Sequence, residues 1–172
     1  MSRPRVRLER LEAHHDLAGF DSGNEELDGW LRRHALAAQQ MDSARTFVLI
    51  RDDRVVGYFS LTMGSVLRAE APAKLVRGLP AYPVGMVLLA RLAVDRREQG
   101  KGIGGLLLAE ALRKAVAAGE AAAARLIVVD AIDETAVRFY ERHGFTRTPE
   151  HPRRLYRRTK DVRASLEQAS GQ

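Results

Sequence analysis

The sequence predicts a mixed α/β domain in which helices cover both faces of one central sheet. Two nearly continuous aliphatic runs, 87–94 and 125–131, are typical of strands buried on both faces. Each run is followed by a segment whose apolar residues recur at helical spacing. The chain has 172 residues and 45% hydrophobic content, which is enough for one core. We therefore expect a single domain over 1–162, followed by a mobile end over 163–172.

The first predicted element is an amphipathic helix over about 25–40. Its apolar positions keep i, i+3, i+4, i+7 spacing from Leu27 to His34. Either Ser22 or Asn24 supplies a side-chain oxygen for the N-cap.

A β-hairpin follows this helix. Residues 46–50 and 55–61 are rich in β-branched and aromatic side chains, and the charged turn 51–54 separates them. The next segment, 68–83, contains three prolines and shows no clean period. We expect it to be a loop with, at most, a short helical turn.

The second half of the chain alternates strands and helices. The strand 87–94 precedes a helix whose apolar residues run from Leu108 to Ala115, and this helix should end in the alanine-rich stretch 115–124. After the strand 125–131, Asp133 caps a helix that runs to about His143. Gly144 is placed to end that helix, and Phe145 should open a final strand.

Composition excludes several classes of protein. The chain has no cysteine, so it has no disulfide, no thiolate nucleophile and no cysteine-ligated metal. The charged N-terminus lacks the apolar core of a secretory signal, and no apolar run is long enough to span a membrane, so we expect a cytoplasmic protein. The five histidines lack paired ligand spacing, which predicts no metal site. Neither Ser60 nor Ser65 lies in a GxSxG motif, which argues against a serine hydrolase.

Four glycines fall within six residues, 100–105, between the strand 87–94 and the following helix. Glycines at such a junction let the backbone turn tightly and point several amides, with the positive end of the helix dipole, at one anion. Lys101 adds positive charge, but no Ser or Thr follows it, so the pattern is not that of a magnesium-nucleotide loop. Residue chemistry alone leaves two readings, a bound pyrophosphate or a purely structural turn.

These residues resemble a known signature. Gln99-Gly100-Lys101-Gly102-Ile103-Gly104 is similar to the Q/R-x-x-G-x-G/A motif of the GNAT acetyltransferases, which holds the pyrophosphate of acetyl-coenzyme A. Leu92-Ala93-Val94 resembles the strand that pairs with the pantetheine arm, and the stretch from Asp133 through Phe139 and Tyr140 to Gly144 resembles a second family signature. The resemblance implies the GNAT fold, acetyl-CoA as co-substrate, and these residues as its binding site.

A narrower resemblance covers nearly the whole chain. Phe20-x-Ser22-Gly23, Leu27-Asp28-x-Trp30-Leu31 and Val56-Gly57-Tyr58 are similar to the GNAT toxins of type II toxin–antitoxin modules. That resemblance implies acetylation of aminoacyl-tRNA, neutralisation by a ribbon-helix-helix antitoxin, and a homodimer. Ser22 departs from the pattern, since the family usually carries Cys there, and we expect that position to be structural.

Acetyl transfer from a thioester to an amine needs a neutral amine, a stabilised oxyanion and a proton for the departing thiolate. An α-amino group titrates near ~8, so an aminoacyl amine is partly neutral without a strong base. Tyr140, with an ordinary pKa near ~10, matches the general acid that the resemblance implies. Its position alone favours a packing role for the ring beside Phe139, and the motif context reverses that preference. The amide of a residue near Val94 is the predicted oxyanion donor.

The formal net charge of +6 is concentrated near the C-terminus, where 147–160 carries six basic residues and one acid. This run is either a solvated charged tail or a phosphate-contacting surface. Arg91 interrupts a buried strand, so it either pairs with a carboxylate or faces the substrate channel. The predicted tRNA contacts are Arg45, Lys74, Arg77, Arg91, Arg153, Arg154 and Arg157. Two alternatives remain open: a GNAT enzyme acting on a small amine or a protein N-terminus, and a non-catalytic binding module.

Overall fold

The computed structural model describes residues 5–171, which form seven strands and six α-helices. The strands are β1 (Val6–Arg10), β2 (Arg45–Arg51), β3 (Arg54–Val66), β4 (Val84–Val94), β5 (Leu126–Asp130), β6 (Thr146–Arg147) and β7 (Arg154–Arg158). The helices are α1 (Glu25–Arg33), α2 (Ala35–Gln40), α3 (Ala73–Val76), α4 (Ile103–Ala122), α5 (Glu134–Arg142) and α6 (Thr159–Ser170). Both parallel and antiparallel strand pairs occur, which confirms the predicted mixed α/β class.

The first of two compact units comprises 5–62 and 90–111. Within it, β1, β2 and β3 pair antiparallel in that order, and β4 lies beside β3. The amide of Asp95, just after β4, donates to the Val56 carbonyl at 2.9 Å. The apolar face of α1 packs into a core that includes Leu31, Val48 and Tyr58, as its helical spacing predicted.

The second unit comprises 63–89 and 112–171. Here β4 pairs parallel with β5, from Met86 opposite Leu126 to Leu89 opposite Val129. β5 pairs antiparallel with β7, which pairs in turn with the short β6. Burial of β5 side chains against the unit's core explains its continuous aliphatic run.

The predicted β2–β3 hairpin is confirmed, and both strands are longer than expected. Asp52 and Asp53 form its two-residue turn with φ of +51° and +58°. Aspartate tolerates this left-handed conformation better than most residues do, because its short polar side chain bonds locally. The segment 68–83, expected to be a loop with at most one short helical turn, contains two of them, a 3-10 turn at Arg68–Glu70 and α3.

The predicted end of a helix in the alanine-rich stretch 115–124 is confirmed, because α4 continues through Gly119 to Ala122. Two predictions differ from the structure. The helix expected over 25–40 is broken at His34, whose φ of −126° lies outside the helical range. The basic run 147–160 is neither a tail nor uniformly solvated, because Arg154–Arg158 form β7, where Leu155 and Tyr156 are buried.

The segment 163–170, expected as a mobile end, lies in α6, where Arg163 Nε contacts Glu120 Oε1 at 2.8 Å. Residue 172 and the start of the N-terminal stretch used against a secretory signal lie outside the described residues. Within 5–171, no helix combines the length and apolar character needed to cross a membrane.

Candidate active site

The turn after β4 is framed by two buried carboxylates. Asp95 is fully buried, and its Oδ1 accepts the Arg97 amide at 3.0 Å, which caps a 3-10 turn at Arg96–Glu98. Burial raises the pKa of the Asp95 carboxyl, but hydrogen bonds from Arg97 and from the Asp21 amide outweigh burial and hold the pKa below its ordinary value. Asp95 is therefore ionised at neutral pH.

Glu98 is the second buried carboxylate, with its side chain only 5% exposed. Arg51 Nη1 contacts its Oε2 at 2.8 Å, and Arg54 Nη2 contacts its Oε1 at 2.7 Å. Lys101 Nζ lies 3.7 Å from Oε2. The positive charge of Lys101, which was expected from the sequence to attract an anion, is therefore partly balanced by Glu98. Two arginines of the β2–β3 hairpin thus fix the residue that precedes Gln99.

The residues Gln99–Gly104, which we call the glycine loop, have the backbone that the glycine pattern predicted. Gly100 and Gly102 adopt φ of +78° and +81°, which only glycine adopts without strain. At both positions, no described heavy atom lies within 4 Å of where a β-carbon would stand, so the space beside the backbone is open.

The loop leads directly into α4. The amide of Leu106 donates to the Gly102 carbonyl, which makes it the first intrahelical donor, and the amides of Ile103, Gly104 and Gly105 precede it. The side chain of Ile103 is buried, so only its backbone faces an anion. The arrangement is that of an anion-binding helix start.

The side chain of Gln99 is a structural clamp. Its Nε2 donates to the Val94 carbonyl at 2.9 Å and to the Ser22 carbonyl at 3.0 Å. Both protons of the amide nitrogen are therefore used within the protein.

Tyr140 lies on α5 in the second unit. The helix begins as predicted, because Asp133 Oδ1 accepts the Ala136 amide at 2.8 Å, and it ends at Arg142, with Gly144 just beyond the C-cap at a φ of +89°. The Tyr140 ring is 5% exposed and packs edge-to-face against Phe139 and Phe145, with centroids 5.3 and 5.8 Å away. Burial raises the pKa of the Tyr140 hydroxyl well above its ordinary value, so it keeps its proton at neutral pH.

The sequence profile of the Acetyltransferase (GNAT) family matches residues 11–145. The chain belongs to this family.

This GNAT chain is 42% identical over 157 residues to the tRNA-acetylating toxin of Mycobacterium tuberculosis, covering 91% of this chain and 94% of that protein. It resembles the structure of AtaT complexed with acetyl-methionyl-tRNAfMet, with a TM-score of 0.86, 30% identity, and coverage of 94% of this chain and 99% of that one. It also resembles an AtaT mutant bound to the C-terminus of the antitoxin AtaR and acetyl-CoA, with a TM-score of 0.81, 29% identity, and coverage of 94% and 98%. The predicted GNAT fold is confirmed.

The remaining predicted acetyl-CoA residues of the GNAT motifs occupy two places. Leu92, Ala93 and Val94 form the end of β4 in the first unit. Asp133 and Phe139 lie on and beside α5 in the second unit, where Asp133 acts as the helix cap and the Phe139 carbonyl contacts His143 Nδ1 at 2.8 Å. Asp133 and Phe139, which were predicted to contact acetyl-CoA, therefore already have partners within the protein.

Arg91 has a partner that sequence reasoning did not foresee. Its guanidinium carbon lies 4.0 Å from the centroid of the Trp30 ring, which is itself stacked on Tyr58. This cation–π contact, rather than a carboxylate, accommodates the charge in a largely apolar strand.

Several basic residues predicted to contact tRNA also have protein partners. Arg45 bonds the Gln39 carbonyl and Asp42, and Arg153 bonds the Ile132 carbonyl. Arg154 forms a bidentate pair with Asp130, at 2.7 and 2.9 Å. Lys74 and Arg77 are exposed at α3.

Two cavities of the second unit contain these cations. A cavity of about 680 Å³ is lined by Arg153 and Arg154, but also by Glu70, Asp130 and Glu150. A cavity of about 380 Å³ has the opposite balance and brings together Lys74, Arg157, Arg158 and Asp161. Asp161 pairs with Arg158 at 2.7 Å, so Lys74 and Arg157 give this second cavity its positive charge.

Among residues 5–171, the hydrogen-bond partners of the Arg157 guanidinium are neutral oxygens. Its Nη1 donates to the His143 carbonyl at 3.1 Å and its Nη2 to Ser165 Oγ at 2.5 Å. A β-carbon at Gly144 would stand 3.1 Å from Arg157 Nε, so the guanidinium would have to move by a few tenths of an ångström, and the φ of +89° independently favours glycine. Burial lowers the pKa of Arg157, which reflects an incompletely solvated cation.

The group Glu9, His14 and His15 places its ligand-type atoms within 4.8 Å of one another. His15 Nδ1 accepts the Glu12 amide at 2.9 Å, so its Nε2 carries the proton and donates to Glu9 Oε2 at 2.8 Å. A metal ion would need a lone pair on His15 Nε2, which holds a proton in this arrangement. Glu9 and His15 are therefore a hydrogen-bonded pair, and the ring of His14 lies beside it.

Sequence reasoning missed the side chains that hold the glycine loop. An Asp directly after a strand, followed by a short charged turn, is a capping signal that could have identified Asp95. Glu98 and its two arginines are more than 40 residues apart, and no local pattern connects them.

Proposed function

We propose that this GNAT protein transfers the acetyl group of acetyl-CoA to the amino group of aminoacyl-tRNA, and that it is a toxin that blocks translation. The observation that carries the proposal is the 42% identity, over 91% of the chain, to a tRNA-acetylating toxin. The backbone of the glycine loop supplies a site for the diphosphate of acetyl-CoA, and the buried phenol on α5 supplies a proton for the thiolate.

Acetyl-CoA supplies the activated thioester, and its diphosphate fits the glycine loop. The open space beside Gly100 and Gly102 admits phosphate oxygens close to the backbone. The amides of Ile103 and Gly104 at the start of α4 donate to those oxygens, and the helix dipole adds a favourable potential. Gln99 contributes by holding the loop rather than through its side-chain amide.

Tyr140 acts as the general acid in this proposal. Its hydroxyl is protonated at neutral pH because burial disfavours the phenolate, so it has a proton to give to the departing thiolate. The backbone amide near Val94 stabilises the developing oxyanion. The aminoacyl amine is partly neutral near pH 8 and needs no strongly basic side chain.

Lys74 and Arg157 are the preferred contacts for tRNA phosphates. They line the same cavity, and Arg157 is positioned by neutral oxygens, so its charge stays available. Arg77 and Arg153 extend the basic surface, whereas Arg154 is largely neutralised by Asp130.

The protein acts in the cytoplasm, where aminoacyl-tRNA is found, as a homodimer that a ribbon-helix-helix antitoxin neutralises. AtaT, a structural neighbour, is bound by the C-terminus of its antitoxin AtaR. Co-purification of this chain with the product of an adjacent reading frame tests the antitoxin. Mass measurement of the free and bound protein tests the homodimer.

The reaction is tested with radiolabelled acetyl-CoA and total charged tRNA. Label should appear on the amino acid of the tRNA, and Tyr140→Phe should lower the initial rate about 100-fold or more, because general acid catalysis contributes factors of this order. Tyr82→Phe is the matched control, since Tyr82 is 74% exposed and should not affect the rate. Label on a different amine, or no transfer, would reject the proposed substrate. A folded Tyr140→Phe protein with unchanged turnover would remove Tyr140 from the mechanism.

A further inference from the structure

The segment between Asp21 and Asn24 is bonded directly to the turn that carries the glycine loop. The Arg96 amide donates to the Asp21 carbonyl at 2.8 Å, and the Asp21 amide donates to Asp95 Oδ2 at 3.2 Å. Gln99 Nε2 adds the bond to the Ser22 carbonyl. These contacts join residues more than 70 positions apart, so the start of the loop is located by the segment that precedes α1.

That segment is in turn fixed by one buried carboxylate. Asp28, on the first turn of α1, is 3% exposed. Its two oxygens accept the Ser22 amide at 3.1 and 3.0 Å, and Oδ1 also accepts the Ser22 hydroxyl at 2.6 Å. The Ser22 hydroxyl accepts the Asn24 amide at 3.2 Å.

We propose that Asp28 is a positioning residue for the glycine loop, and that it acts through Ser22 and Gln99. The inference rests on the proposed binding of coenzyme A at the glycine loop. Asp28 accepts hydrogen bonds from both the backbone amide and the side-chain hydroxyl of Ser22. These two contacts fix the orientation of Ser22 and therefore the direction of its carbonyl. That carbonyl and the Val94 carbonyl together hold Gln99, and the backbone of Gln99 opens the loop.

The chemistry requires an acceptor with no hydrogen of its own. A carboxylate offers two oxygens to the Ser22 amide and hydroxyl, whereas an asparagine would place its amide nitrogen, itself a donor, against one of these two donors. The Ser22 hydroxyl gives the shortest bond, and a thiol in its place remains a donor, although a weaker one. The Cys that the resemblance places at this position therefore preserves the same connection.

The test measures equilibrium binding of coenzyme A by calorimetry, with folding checked by circular dichroism. Asp28→Asn should raise the Kd for coenzyme A about tenfold and the KM for acetyl-CoA to a similar extent. Turnover at saturating acetyl-CoA should stay within about twofold of wild type, since no group proposed to act in the chemistry is altered. Glu26→Gln is the matched control, because Glu26 lies on the same helical turn and is exposed, and it should bind coenzyme A like wild type.

The serine variants keep the proposal testable if Asp28→Asn does not fold. Ser22→Ala should raise the Kd about threefold, and Ser22→Cys should restore binding to near the wild-type value. Unchanged coenzyme A affinity in both Asp28→Asn and Ser22→Ala would overturn the inference, as would equal losses in affinity and turnover. Because coenzyme A binding needs no acceptor, a chain that binds it normally but fails to acetylate tRNA would reject the proposed substrate and leave this inference standing.

Discussion

The open, left-handed glycine loop makes one strong prediction about two neighbouring glycines. Gly102 has φ of +81°, and Gly105 lies within α4; at neither position does a described heavy atom come within 4 Å of an added β-carbon. Alanine therefore adds the same methyl group to open space at both. At Gly102, the left-handed conformation costs about 1–2 kcal/mol and is partly offset by the lower entropy of the unfolded chain, about 0.4–1 kcal/mol.

We therefore expect Gly102→Ala to lower the free energy of unfolding by about 1 kcal/mol and Gly105→Ala to raise it by about 0.5–1 kcal/mol, since Ala is the better helix former. Urea unfolding of both variants measures the difference of about 1.5–2 kcal/mol. The methyl group at Gly102 should also weaken coenzyme A binding, because it enters the space proposed for the diphosphate. Equal stability of the two variants would refute the strain argument, and full coenzyme A affinity in Gly102→Ala would refute the placement of the diphosphate.

Two further predictions concern charge. The pKa of the Asp95 carboxyl is lowered in the folded state. The ionised carboxylate therefore stabilises the fold above the unfolded pKa of about 3.9, and this contribution is lost as the pH falls through the folded pKa. Between pH 6 and pH 3, the free energy of unfolding should fall more steeply for wild type than for Asp95→Asn. Arg154 and Asp130 are both about one-third exposed or more, so Arg154→Gln should cost at most about 1 kcal/mol and leave the KM for tRNA within twofold. Lys74→Gln should instead raise that KM and flatten its salt dependence, and equal effects of the two substitutions would contradict the distinction between the two cavities.

The predictable parts of the fold were those in which one local pattern dominates. The aliphatic strands, the capped helix α5 and the hairpin each carry such a pattern, and each lies within a few residues of its expected place. β1 and β7 were not predicted, because charged residues occupy three of the five positions in each strand and hide the pattern of a half-buried strand. Their burial depends on pairing with β2 and β5, and pairing between distant segments has no local signature.

The site divides in the same way. The positive φ values at Gly100 and Gly102, and the cap at Asp133, follow from local backbone chemistry that a single sequence reveals. The partners of Arg91 and Arg154 do not, since a cation's neighbour in space depends on the whole fold. Charge counted along the chain therefore overstated the number of arginines available to an RNA.

A loop that offers its amides to a phosphate cannot use those amides to hold itself in place, so side chains must fix it. Here Asp95, Glu98 and Gln99 do so, and each uses partners outside the glycine loop. Buried carboxylates are expensive to desolvate, and removing one partner leaves an uncompensated charge. The shape of the loop is therefore sensitive to residues that touch no ligand. It follows that an intact Q-x-x-G-x-G motif is insufficient for coenzyme A binding unless the carboxylates that orient it are also present.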